Sequence, residues 1–452
     1  MNTEHTAVRS EDCTPCLSAP KKQFAPSKTD FVFALIFTAL GYFYIHAMTE
    51  WFDFPAIGLY QWFTVAYAVC VLAYLYACRI KPPVLSYFWL GTFLLVSACM
   101  QFIPSSLMGL QNLFVHGAAV YWTLCAAGCL AEQKTGSFLP LDVLSGFIIL
   151  PFGNFFKKIR VIFHALCKSK SGKRAAAAAL GGAICLVIFA FVLPLLSAAD
   201  AGFQLLLANF FDWFNRNCLL FCARFALSLP VSAWLYGLVY GCVHREGTDV
   251  ISPEQVRKSG KSLRILPLTT VYTAVGGVCA AYFVFILLQG QYLFGGFFGK
   301  IPLSFSVAEY ARSGFFELCR ISAINLGILL CANIFGRIAH CESRVLRALN
   351  TALCALSLLL VSTAFAKMAL YIGTFGLTPK RVLATAGLVW FAVVFVCVLI
   401  WQWRRVSIMR VAAVTATILL CALSLSNFDN TIADYNTKNG FDNVDGYSYN
   451  NF

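Results

Sequence analysis

Residues 290–320 read GQYLFGGFFGKIPLSFSVAEYARSGFFELCR. Glycines, aromatics, a proline and charges of both signs crowd together here, in a chain otherwise built of plain apolar runs. The first half carries Gly290, Gly295, Gly296, Gly299 and Pro302, which argue against a regular helix, because glycine is flexible and proline lacks a donor. Tyr292, Phe294, Gly295 and Gly296 are then expected to form an aromatic, glycine-rich cover resting on protein or on the membrane interface. The second half opens on Ser306 with Glu309 three residues on, the pattern of a capping box. A helix is expected from about 307 to 335. On its wheel Glu309, Arg312, Ser313, Phe316, Glu317 and Arg320 share one arc. Lipid cannot satisfy such a stripe, so it must meet water or other polar groups.

Outward from this stretch the chain is a succession of membrane spans. Hydrophobic residues make up 60% of it and charged residues 12%, against roughly 25% charged in a soluble globular protein. Runs of the roughly 20 apolar residues needed to cross hydrocarbon recur. They are expected at about 31–47, 57–78, 84–103, 110–131, 175–197, 218–242, 265–289, 315–335, 349–371, 382–403 and 411–425. The fold class is therefore all-α: a polytopic bundle of about eleven membrane helices with two in-plane amphipathic helices. The organisation expected is a cytoplasmic tail at 1–30, a four-helix unit at 31–131, a basic connector at 132–174, a seven-helix domain at 175–426 and a polar, acidic tail at 427–452. No cleavable signal peptide is expected, since polar residues fill 1–30.

Most of the 34 Lys and Arg lie at alternate ends of the spans. The net charge of +14 thus follows from membrane orientation rather than nucleic-acid binding, with the N-terminus cytoplasmic, the C-terminus extracytoplasmic and the cell membrane as location. Lys380 and Arg381 fall on the outer side and run against the rule. In the connector, Phe155, Phe156, Ile159, Ile162, Phe163 and Leu166 trace one helical face, while Lys157, Lys158, His164 and Lys168 take the other. This reads as an in-plane helix on the anionic inner leaflet, with 155–174 touching membrane lipid. Residues 200–216, with Phe203, Leu206, Phe210 and Phe214, read as a second such helix on the outer surface.

Buried charge marks the candidate site, because a charged side chain at mid-bilayer costs about 2.5–3.5 kcal/mol on insertion scales. Arg224, Glu317, Arg320 and Lys367 all fall in the outer part of their expected spans. If their helices are neighbours, they form an outward pocket suited to an anionic group, with Glu309 and Arg312 as further candidate ligand-binding residues. The alternative is a structural ion-pair network around Glu317. Catalytic patterns are poor: the histidines are scattered, and no P-loop, GxSxG or HExxH occurs. Nearly all of the 19 cysteines sit in apolar segments as small hydrophobes. Cys13 and Cys16 form a lone CxxC without a second pair at zinc spacing. No metal and no cofactor is called for.

Four motifs carry a resemblance: LFGG at 293–296, EYARSGFFEL at 309–318, YIGTFGLTPKR at 371–381 and NFDNTIADYN at 427–436. Over roughly 140–440 the chain resembles a bacterial family of multi-pass membrane proteins catalogued as domain of unknown function 4173, with its relative 4153. The resemblance implies an integral membrane protein and no catalytic residues. The expectation is a non-enzymatic envelope or signalling accessory that presents an outward polar site to a ligand or partner protein. The alternative is a transporter or lipid translocator for an anionic amphiphile.

Overall fold

The computed structural model describes residues 26–53, 58–103, 105–167, 170–200, 216–248, 262–298, 315–337, 343–404 and 406–441, with the single positions 202, 205, 254 and 258. Among them the chain is helical throughout, apart from one isolated bridge between Leu266 and Gly336. In hydrocarbon every backbone donor and acceptor must be satisfied within its own segment, which leaves helices as the solution for apolar runs of this length. Ten helical stretches among the described residues are long and apolar enough to cross a membrane. The protein is a multi-pass helical membrane protein.

Helices α1 (Lys28–Asp53), α2 (Leu59–Ala77), α3 (Val84–Phe102) and α4 (Met108–Ala126) come first. A shorter run follows, formed by α5 (Leu139–Leu144), a π-turn at Ser145–Ile149, α6 (Leu150–Gly153) and α7 (Lys157–Cys167). Then come α8 (Lys170–Ala199), α9 (Arg216–His244), α10 (Leu268–Phe298), α11 (Phe315–Phe335), α12 (Arg344–Phe375), α13 (Pro379–Trp401), α14 (Ile408–Leu425) and α15 (Phe428–Lys438).

Local chemistry sets several boundaries. Ser27 and Asp30 cap α1 reciprocally: the Asp30 N–H donates to Ser27 Oγ at 3.1 Å, and the Ser27 N–H donates to Asp30 Oδ2 at 2.8 Å. The other carboxylate oxygen of Asp30 accepts from Tyr74 Oη at 2.6 Å and lies 3.0 Å from His244 Nε2. One buried carboxylate thereby ties the start of α1 to the ends of α2 and α9. The start of α10 meets the end of α11 through Leu266 N–H to Phe335 O at 3.0 Å and Arg337 N–H to Leu266 O at 3.1 Å. Trp89 near the start of α3 and Tyr121 near the end of α4 both donate to Thr135 Oγ1. These contacts gather the basic loops at one end of the bundle, here the basic end.

Two cores hold the bundle. The first joins α1–α4, Leu150, Val161 and α9 around Phe37, Tyr74, Trp122 and Tyr236. The second joins α10–α13 around Leu353, Leu360 and Phe395. Helix α14 touches both, with Cys421 in the first and Ile408 and Ala412 against the second. Helices α1 and α9 approach closely at Gly41, where a Cβ would lie 2.5 Å from Ser232 Cβ. Small residues permit such contacts between membrane helices.

One expectation is corrected. Helix α10 continues through Gly290, Gly295 and Gly296 to Phe298, where a break was expected. A glycine costs only about 1 kcal/mol in a helix interior, and the long apolar run before Gly290 sustains the helix through them. The amphipathic stretch 155–166 does form a helix, α7, with the apolar Phe156, Ile159 and Phe163 exposed. Lys158 departs from the outward polar face: it is buried and donates from Nζ to Ser232 Oγ. The second expected in-plane helix, at 200–216, lies almost wholly outside the described residues, as do Ser306 and its capping box.

Candidate functional site

Opposite the basic end, two stretches far apart in sequence close on each other. Helix α12 ends at Gly376, whose φ of 73° suits a residue without a side chain. A Cβ there would also stand 2.6 Å from Asn436 Oδ1. The buried Asn436 side chain engages Leu377 in both directions: it accepts from the Leu377 N–H at 2.7 Å and donates to the Leu377 carbonyl at 2.9 Å. The chain then turns into α13, where Thr378 Oγ1 accepts from the Arg381 N–H and Pro379 takes the first turn.

Arg381 is 8% exposed and folds back over the helix it follows. Its Nη1 donates to the carbonyls of Phe375 at 2.8 Å and Gly376 at 2.7 Å. The guanidinium also stacks over the Tyr371 ring, 4.1 Å from its centroid. A cation on the terminal carbonyls of α12 offsets the negative end of the helix dipole. In sequence Arg381 stands out as an exception to the expected charge rule and as the last residue of the 371–381 motif.

Helix α15 lies across this turn. Phe428 and Ile432 are buried with Leu107 and pack on Leu377, Val382, Leu383 and Leu423. The Asp429 carboxylate accepts from Ser106 N–H at 2.6 Å and Ser106 Oγ at 2.7 Å. So α15 bolts the α3–α4 turn, in the first half of the chain, to the α12–α13 turn in the second. Asn430, Asp434, Thr437 and Lys438 face outward as an exposed polar surface. The segment expected to be a plain acidic tail is thus, over 428–438, a docked helix.

The predicted charge cluster is distributed. Arg224 donates from Nη2 to Glu50 Oε1 at 2.9 Å, and its Nη1 lies 2.7 Å from His46 Nδ1, which joins α9 to α1. Nothing in the sequence around Glu50 and His46 points to Arg224 as their partner. Lys367 is fully buried in α12, in the second half of the chain. Glu317 and Arg320 are exposed on α11, while Phe315 and Leu318 of that helix are buried. Glu309 and Arg312 lie outside the described residues. Tyr292, Phe294, Gly295 and Gly296 fall within α10, with side chains outside the described set.

The match to known proteins runs through the same junction. A family model described as a domain of unknown function, DUF4153, matches residues 66–443. The chain belongs to the DUF4153 family. The relative of the expected family is thus the one matched, and the assignment to 4173 is corrected. No curated protein and no solved structure matches the chain. The DUF4153 match spans α3–α15 and so includes both halves of the junction, 371–381 and 427–436.

Proposed function

We propose that this DUF4153 protein is a non-enzymatic accessory of the cell envelope that presents the polar face of α15 to a protein partner outside the cytoplasm. The reading takes eleven passes: α1–α4, α8–α14. The N-terminus and the basic end are then cytoplasmic, and α15 lies on the far side, as the bias of Lys and Arg favours. The observation that carries the proposal is the double clamp on α15, by Asn436 on Leu377 and by Asp429 on Ser106. A terminal helix needs no such fixing to be tolerated. Fixing it from both halves of the chain holds Asn430, Asp434 and Lys438 in one geometry, which is what recognition by a partner requires.

A second reading, translocation of an anionic amphiphile, is favoured by one observation, the full burial of Lys367 within a membrane helix. Against a pocket shared with Arg224 stands the engagement of that residue by Glu50.

Crosslinking in native membranes followed by pull-down and mass spectrometry tests the proposal. The wild type is expected to capture a stoichiometric protein, and a combined Asn430→Ala, Asp434→Ala, Lys438→Ala variant is expected to lose it while remaining in the membrane. Equal capture by both chains would overturn the reading.

A further inference from the structure

The first core is not filled. A cavity of about 490 Å³ lies between α1, α2, α4, α9 and the α5–α6 run, within the range of roughly 300–1,000 Å³ typical of small-molecule sites. Its floor is buried, at Tyr67, Val120 and Leu235, and its rim is exposed, at Phe152 and Pro230. The opening is therefore sideways, through the wall that the bundle turns to lipid.

Chemistry and shape restrict what enters. Every polar tip on the wall is already engaged by protein. Tyr67 Oη bonds Thr123 Oγ1 at 2.8 Å, Tyr44 Oη bonds His116 Nε2 at 3.1 Å, and Trp234 Nε1 donates to the Phe147 carbonyl at 3.2 Å. His116 Nδ1 is taken up by the Asn112 carbonyl at 2.9 Å. A polar ligand would lose its bonds to water and gain none here. The cavity runs along α9. Pro230 lines one end, and at the other the main chain of Asn154, which leads into Phe155, sits against Gly237, seven residues further along the same helix. At 1.5 Å per residue this is about 10 Å along the helix axis. The lower end of the opening adjoins the basic start of α7, where Lys157 pairs with Glu246 and Arg160 remains exposed.

We infer that this cavity holds one acyl chain of an anionic phospholipid drawn from the leaflet at the basic end. The chain enters past Phe152 and lies along α9 between Val231 and Trp234, with the headgroup near Arg160. A slot parallel to the helices fits a lipid tail, which already has that direction in the bilayer. The site is independent of the α15 junction and of its partner.

The test uses the full chain in vesicles of phosphatidylcholine and phosphatidylglycerol, doped with phosphatidylglycerol bearing a diazirine at the end of one tail. After irradiation, adducts are mapped by mass spectrometry. Adducts are expected at the buried Tyr67 and the half-buried Val231 and Trp234, alongside ordinary labelling of exposed Trp62. Ala119→Trp and, separately, Val231→Trp fill the cavity and are expected to abolish labelling at Tyr67 and Trp234 while leaving Trp62 unchanged. Adducts confined to exposed residues in the wild type would overturn the proposal, whether or not the variants fold. So would interior labelling that survives both variants, as from an occupant elsewhere. Equal interior labelling by a phosphatidylcholine probe would overturn the anionic preference.

Discussion

Asn436 stabilises the protein with a side chain that imitates main chain. Its amide completes the pairing of Leu377 as a neighbouring strand would, in a position that is itself buried. Replacing it by alanine leaves a donor and an acceptor without partners. The expected loss is about 1–3 kcal/mol, read as a lower thermal midpoint of the purified protein in detergent; an unchanged midpoint would show that the clamp contributes nothing. Residues of this kind were hard to read in advance. Asn436 is one asparagine among many in a polar stretch, and its partner is backbone, which carries no signature in sequence. Arg381 was more legible, since a cation that breaks the expected sorting of charge requires a reason. Arg224 stands out in sequence as a charge within an apolar run, but its partners Glu50 and His46 lie on a helix some 170 residues earlier in the chain, and pairings of that range are set by packing.

At the level of elements, apolar length and periodicity marked nearly every helix, because hydrocarbon leaves the backbone no other regular solution. What periodicity could not supply was orientation. The amphipathic pattern of α7 was plain, yet the residues that meet the bundle include both the apolar Val161 and Lys158, the latter bonded to Ser232 of another helix. Likewise the glycines of α10 carried an intrinsic penalty that a long apolar helix overrides. The contact between α1 and α9 allows a sharper statement. Gly41 is a point of close approach, with the Ser228 carbonyl and the Ser232 side chain both within 3.0 Å of where a Cβ would stand. Gly41→Leu must push the helices apart, at a cost of about 1–3 kcal/mol or more. Reduced yield of folded protein is expected, together with weaker pairing of Arg224 and Glu50, whereas Gly91→Leu, at a position with open space around it, should leave both intact. Equal behaviour of the two variants would contradict the packing described.

Across the whole molecule, two cores are joined by α14 within the bundle and by α15 at one end. Sequence alone revealed the class, a multi-pass helical protein, and the motifs at 371–381 and 427–436. That these motifs form one junction was not legible, since neither shows a pattern that names the other. The central claim is that this junction stands on the extracytoplasmic side with a fixed polar face. Labelling of an Asp434→Cys variant in intact cells with a membrane-impermeant thiol reagent tests it most directly, with the wild type as background, since Asp434 is exposed on α15. The account predicts labelling of intact cells above that background. Labelling that appears only after the membrane is permeabilised would contradict it.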